Sequence, residues 1–166
     1  MRGGERCLEA FCELFPDADL YTLLHIKGTV SPTIERHRIT TSFVQSFPLA
    51  ARYYRYYLPV FPFAIERFRL PSYDLVLSSS HCVAKGIRPP AGGKHLCYIH
   101  SPMRYVWDQF DNYARGGRSG VVARLGMELF RKRLQAWDVA SAARLCCIHR
   151  SIGSHFKPRN SQKTSI

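Results

Sequence analysis

The chain has 166 residues, long enough to bury a core and short enough for a single domain. It carries 24 Lys and Arg against 12 Asp and Glu, and the resulting formal charge of +12 favours an anionic partner: nucleic acid, a membrane surface or a phosphorylated ligand. A hydrophobic content of 46% with 13% aromatic residues excludes a disordered chain, and no stretch reaches the roughly 18 uninterrupted apolar residues of a membrane span.

The first expected element is a helix opening at Gly4, where Leu8, Phe11 and Phe15 recur at helical spacing before Pro16-Asp17 stops it. A short strand over 18–24 follows, rich in strand formers, and "HRITTSF" (37–43) alternates Ile39, Thr41 and Phe43 as a weaker strand. The aromatic segment that comes next is broken by Pro48, Pro59 and Pro62, and it predicts two short helices with kinked joints. "YDLVLSSS" (73–80) is the clearest strand, a continuous apolar run of the kind covered on both faces. Its serines are placed to cap a helix over "HCVAKGI". "RPPAGG" is a turn, and "KHLCYIH" (94–100) a second buried strand ended by Ser101-Pro102. "MRYVWDQFDNYARGGRSG" (103–120) reads as loop, with glycines at 116, 117 and 120 marking mobility. A long helix over 121–143 then keeps Val122, Leu125, Leu129, Phe130, Leu134 and Trp137 at spacings of three and four.

Strands alternating with helices predict an α/β fold, a Rossmann-like parallel sheet with helices on both faces. The ligand of such a sheet belongs beyond the C-terminal strand ends, where Gly3 and Gly4, 78–81 and 100–104 would converge. The six cysteines form no CxxC pair and read as buried, reduced thiols. The His-bearing stretches around them lack zinc spacing, so no metal or cofactor is expected. With no signal peptide ahead of Gly3 the expected location is cytoplasmic. No acidic residue occurs after Asp138, and residues 145–166 read as a basic disordered tail beyond a domain at 1–144.

The order of "RGGERCLEAFCELFPDADLYTL", "YDLVLSSSHCVAKGIRPP", "CYIHSPMRYVWD" and "WDVASAAR" resembles the N-terminal half of bacterial family 4 glycosyltransferases over roughly residues 2–144. The resemblance implies the GT-B architecture, two Rossmann-like domains facing a cleft. It also implies transfer of a sugar from a nucleotide sugar (GDP-mannose is one such donor) with retention and without a metal. The acceptor would be a glycan or lipid-linked intermediate at the inner membrane, which adds peripheral membrane contact to the expected cytoplasmic location.

Carried over, Gly3 and Gly4 match the donor-phosphate loop: backbone amides at a helix N-terminus approach an anion closely when no Cβ intervenes. His100 in "YIHSP" matches the histidine that reaches the transferred sugar, and is the expected catalytic residue. Ser80 and His81 share the rim, Ser80 more readily as a cap than a contact. Arg104 meets a phosphate or lies in solvent. Arg52, Tyr53, Arg55 and Tyr56 belong to a segment with four arginines and one glutamate, which suits an anionic headgroup layer near the acceptor. Packing of these aromatics on the sheet is the alternative, and stacking on single-stranded nucleic acid a more distant one. The family's first strand has no counterpart before Gly3, which would leave two interior sheet edges unpaired, and its second domain has none after 144. The expectation is therefore a fragment, inactive alone, truncated at both ends.

Overall fold

A computed structural model describes residues 3–101, 103–107, 121–145 and 147–150. Residues 108–120 of the glycine-marked loop and the tail from 151 onward lie outside the described residues.

Helix α1 spans Gly3–Leu14, with Glu5 in its first turn, where a carboxylate favours the positive end of the helix dipole. The helix stops at Leu14, one residue short of Phe15, because the residue before a proline is disfavoured in the helical region. Phe15 is accordingly exposed, and α1 buries Cys12 instead, with Leu8 and Phe11 half-buried. Strand β1 (Leu20–Thr22) is shorter than the apolar run that encodes it, and pairs in parallel with β2 (Ile39–Thr41). Between them a short helix, α2 (Pro32–Glu35), begins on a proline whose missing N–H costs nothing at that position. Ser42 joins the two strand ends: its Oγ donates to the Leu23 carbonyl at 2.9 Å and accepts from the Val44 N–H at 3.2 Å.

The aromatic segment forms two short helices with a kinked joint, as its prolines dictate. Helix α3 (Ala50–Tyr53) runs into a 3₁₀ stretch (Tyr54–Val60) containing Pro59, and α4 (Phe61–Glu66) takes Pro62 in its first turn. A second parallel sheet follows, in the order β3 (Leu75–Ser80), β4 (Lys94–Ile99), β5 (Cys147–Arg150). The expected helix after Ser80 is a single 3₁₀ turn, Ala84–Gly86, closed by the Lys85 N–H donating to Ser80 Oγ at 3.2 Å. Helix α5 (Arg104–Trp107) occupies a stretch that reads as loop, and α6 (Val121–Ala143) is the long helix its periodicity requires. Strand β5 falls where the sequence reads as the start of a structureless tail.

The fold is thus α/β with two small parallel sheets. Its main core gathers Val44, Leu58, Phe61, Ile65, Val76, Ile87, Met103 and Leu134, so α4 and α6 share one apolar cluster with Val76 of β3. The sheet is not buried equally on both faces. Val76, Ser78, His95 and Cys97 are buried, whereas Leu75 and Leu96, on the opposite face, stay 40% and 37% exposed. Continuous apolar runs in β3 and β4 reflect burial of one face and partial cover of the other, not the two-sided burial that such runs suggest.

Polar ties hold α6 to this core. The Lys85 ammonium and the Asp138 carboxylate form a buried ion pair at 2.5 Å, and the Trp107 indole N–H donates to the second Asp138 oxygen at 3.0 Å. Glu66 collects the Trp137 indole N–H at 2.7 Å, the Arg144 guanidinium at 2.9 Å and the Arg88 guanidinium at 2.6 Å. Burial alone would raise the Glu66 carboxyl, but these donors together hold it below its ordinary range.

Candidate functional site

Parallel pairing of β3 with β4 matches Ser80 to Ile99, so His81 and His100, the next residues of each strand, emerge side by side. The His100 N–H donates to the Ser80 carbonyl at 2.8 Å, extending the ladder one step and fixing the backbone from which the ring projects. The His81 and His100 ring centroids stand 6.5 Å apart. Helix α1 brings its N-terminus to the same place: a Cβ added to Gly4 would lie 3.7 Å from both His100 Nε2 and His81 Nδ1. Three segments far apart in the chain therefore meet at the C-terminal end of β3 and β4.

His100 is the most constrained member. Its Nε2 is 2.8 Å from Ser79 Oγ, and Tyr98 packs edge-on against its ring at 4.7 Å. Burial, helped by the neighbouring His81, lowers its pKa, so the imidazole is neutral at neutral pH, with one nitrogen to donate and one to accept. His81 is exposed and completes the other wall. The first N–H groups of α1 have no partner within the helix, and with the positive end of the helix dipole they suit an anion. The arrangement can therefore hold an anionic group beside neutral imidazole hydrogen-bonding atoms.

The remaining expected residues divide. Gly3 opens α1 at this corner. Ser80 is buried to 2% exposure, and its oxygen is engaged by the Lys85 N–H, which makes it a turn cap rather than a rim contact. Arg104 is exposed at the start of α5, and among the described residues no hydrogen bond or ion pair joins it to either histidine. Two neighbours escaped individual notice in the sequence, Ser79 and Tyr98. Their signal is parity: register pairs them, on the face that carries Leu77 and Leu96.

The arginine-aromatic segment separates into inward and outward halves. Tyr54, Tyr57, Phe61 and Phe68 pack in or against the core, while Tyr53 (39%), Tyr56 (61%) and Phe63 (58%) are exposed. Arg52 lies 5.6 Å from the Tyr53 ring centre, Arg55 5.5 Å from that of Tyr54, and Arg67 5.5 Å from that of Phe63. Leu49, at the entry to α3, is 67% exposed in a left-handed backbone conformation (φ 50°).

Among the described residues no group of three His, Cys, Asp or Glu side chains gathers to hold a metal, and no helix is long and apolar enough to cross a membrane. Cys7, Cys12, Cys82 and Cys97 are free thiols, and burial beside the Asp138 charge pushes Cys82 up to about 12. No known protein family, no curated protein and no solved structure matches the chain.

Proposed function

We propose that this chain is the Rossmann-like N-terminal half of a retaining GT-B glycosyltransferase, in which the α1 N-terminus faces the diphosphate of a nucleotide sugar. His100 would then hydrogen-bond the transferred sugar, and His81 the diphosphate. The observation that supports this reading is the packing of Gly4 against His81 and His100, with 3.7 Å from a Gly4 Cβ to each ring. Catalysis in this reading needs a second domain carrying most of the nucleotide contacts, so the rim by itself binds weakly. GDP-mannose, GDP and inorganic phosphate, titrated separately while Gly4, Glu5, His81 and His100 resonances are followed by NMR, test it. Shifts confined to these residues and strongest for the nucleotide sugar are expected. Gly4→Ala is the incisive variant: a methyl fits at ordinary contact distance, and alanine adds about 0.5–1 kcal/mol of helix preference, yet it fills the anion's approach. A Gly4→Ala chain that stays folded and still binds GDP-mannose unchanged overturns the proposal.

A second reading, an acceptor- or membrane-binding module, is favoured by the exposed Tyr53, Tyr56 and Phe63 set among Arg52, Arg55 and Arg67. Co-sedimentation with vesicles containing phosphatidylglycerol, but not with pure phosphatidylcholine, is expected, and loss on Tyr53→Ser with Tyr56→Ser. Equal retention on single-stranded RNA at physiological salt would point to nucleic acid instead.

A further inference from the structure

The two histidines of the rim stand on segments that one carboxylate joins. Ser80 makes the first link: its carbonyl accepts from the His100 N–H at 2.8 Å, and its hydroxyl accepts from the Lys85 N–H at 3.2 Å. The turn at 84–86, which follows His81, is thereby fastened to the end of β3. Its Lys85 ammonium reaches Asp138 Oδ1 on α6 at 2.5 Å, and the Trp107 indole N–H donates to Asp138 Oδ2 at 3.0 Å. Trp107 ends α5, in the segment that leaves β4 through His100, so the circuit closes on the rim. Ser80, Lys85 and Asp138 are all buried, and each carboxylate oxygen serves a different segment. Nearer the start of α6, Gln135 donates to the Val106 carbonyl at 3.0 Å and Arg131 to the same oxygen at 3.2 Å, which holds α5 against that helix.

We propose that Asp138 is a positioning residue of the histidine rim: by joining the segment after His81 to the segment after His100, it fixes how the two rings stand to each other and to Gly4. Packing of Val83, Met103 and Val106 keeps both segments on the core, but apolar contacts have no direction. Hydrogen bonds do, and one carboxylate accepts from two donors along set directions. Stability alone does not call for this arrangement, because well-packed apolar side chains often replace a buried ion pair at little or no cost. What such side chains lack is a fixed geometry between two donors that follow different strands. This role rests on the rim being the site of the proposed function, and not on which ligand it holds.

The test reads the rim by NMR in the chain without ligand, from the ring signals of His81 and His100 and from amide exchange at position 85 and at His100. Leu96, in the middle of β4, is the reference for opening of the whole sheet. Trp107→Phe removes only the indole donor: exchange at His100 is expected to rise at least ~3-fold relative to Leu96 and its ring signals to shift, with position 85 unchanged. Lys85→Met with Asp138→Leu keeps the core filled, and is expected to raise exchange at both positions ~10-fold or more relative to Leu96 and to shift both rings. Leu134→Ala, a core loss on the same helix, is expected to speed all three amides alike. A folded double variant with both ratios and both rings unchanged overturns the proposal, and so does Leu134→Ala reproducing its ring shifts. If the double variant does not fold, Trp107→Phe decides, and a His100 ratio and ring unchanged from wild type overturn the proposal. Failure of GDP-mannose to bind the wild-type chain overturns the proposed function alone.

Discussion

Gly86 lies directly beneath the indole of Trp137: a methyl on its Cα would stand 2.3 Å from Cζ2 and 2.6 Å from Cη2 of that ring. The ring is also tied at its edge, because its N–H donates to Glu66. Ile65 Cγ2, at 3.2 Å from the same position, closes the remaining space. Gly86→Ala is therefore expected to lower stability by about 1–3 kcal/mol through overpacking, measured by urea denaturation with tryptophan fluorescence. Trp137→Leu should relieve most of that added cost in the double variant. A double variant as unstable as the two losses summed would show that the indole is not the obstacle.

Glu66 ties α4 to the turn at Arg88 and to both Trp137 and Arg144 of the C-terminal segment. Its two arginine partners are half-exposed or more, so water and salt screen them and they contribute little. The shielded bond from Trp137 carries most of the effect. Glu66→Ala should cost about 1–2 kcal/mol, nearly insensitive to added salt, whereas Arg88→Ala should cost less than about 0.5 kcal/mol.

Asp138 and Lys85 are both buried, at 5% and 4% exposure. Removing only the carboxylate strands an ammonium in the core and frees the Trp107 indole. Asp138→Ala should lower stability by about 3–5 kcal/mol, while Lys85→Met with Asp138→Leu should recover much of it, as measured by chemical denaturation. Failure of the double variant to exceed the single one would show that the pair contributes more than mutual neutralisation.

Acid should weaken the fold in two stages. Burial lowers the pKa of both His95 and His100 from an ordinary value of 6.5, with His81 adding to the effect at His100. The unfolded chain therefore binds protons first. The stability tied to the neutral rings is complete above 6.5 and is lost as pH falls through the lower folded values. Glu66, held below its usual 4.5, adds a second loss below that pH. His95→Gln, which can still hydrogen-bond Ser78, should shrink the first stage to the part due to His100 in a pH series of melting temperatures and leave the second in place.

The parts of the fold that show in the sequence are those whose local pattern and tertiary role agree. Leu75, Val76 and Leu77 announce β3, three prolines divide the aromatic segment, and the spacing that ends in Leu134 and Trp137 marks α6. Strand β5 is hidden because Cys147–Arg150 is short and half basic, so only its pairing with β4 defines it. The one-turn form of 84–86 depends on Ser80 engaging Lys85, a side-chain choice that no periodicity records. At the rim, the meeting of 81 with 100 follows from register. The part played by Ser79 and Tyr98 required knowing which way each strand turns its side chains.

The split between the two sheets also bears on how the molecule comes apart. Their ladders share no backbone hydrogen bond among the described residues, and Tyr21, Tyr73 and Asp19 form the polar link between them. Loss of the β1–β2 ladder does not by itself break the β3–β4 ladder, so the two can melt at different denaturant concentrations. Trp137 reports on the larger sheet and Tyr21 on the smaller one. If their transitions fail to coincide, no single free energy describes unfolding; if they coincide, the apolar core that Tyr21, Leu23 and Leu24 share with Val76 couples the two sheets.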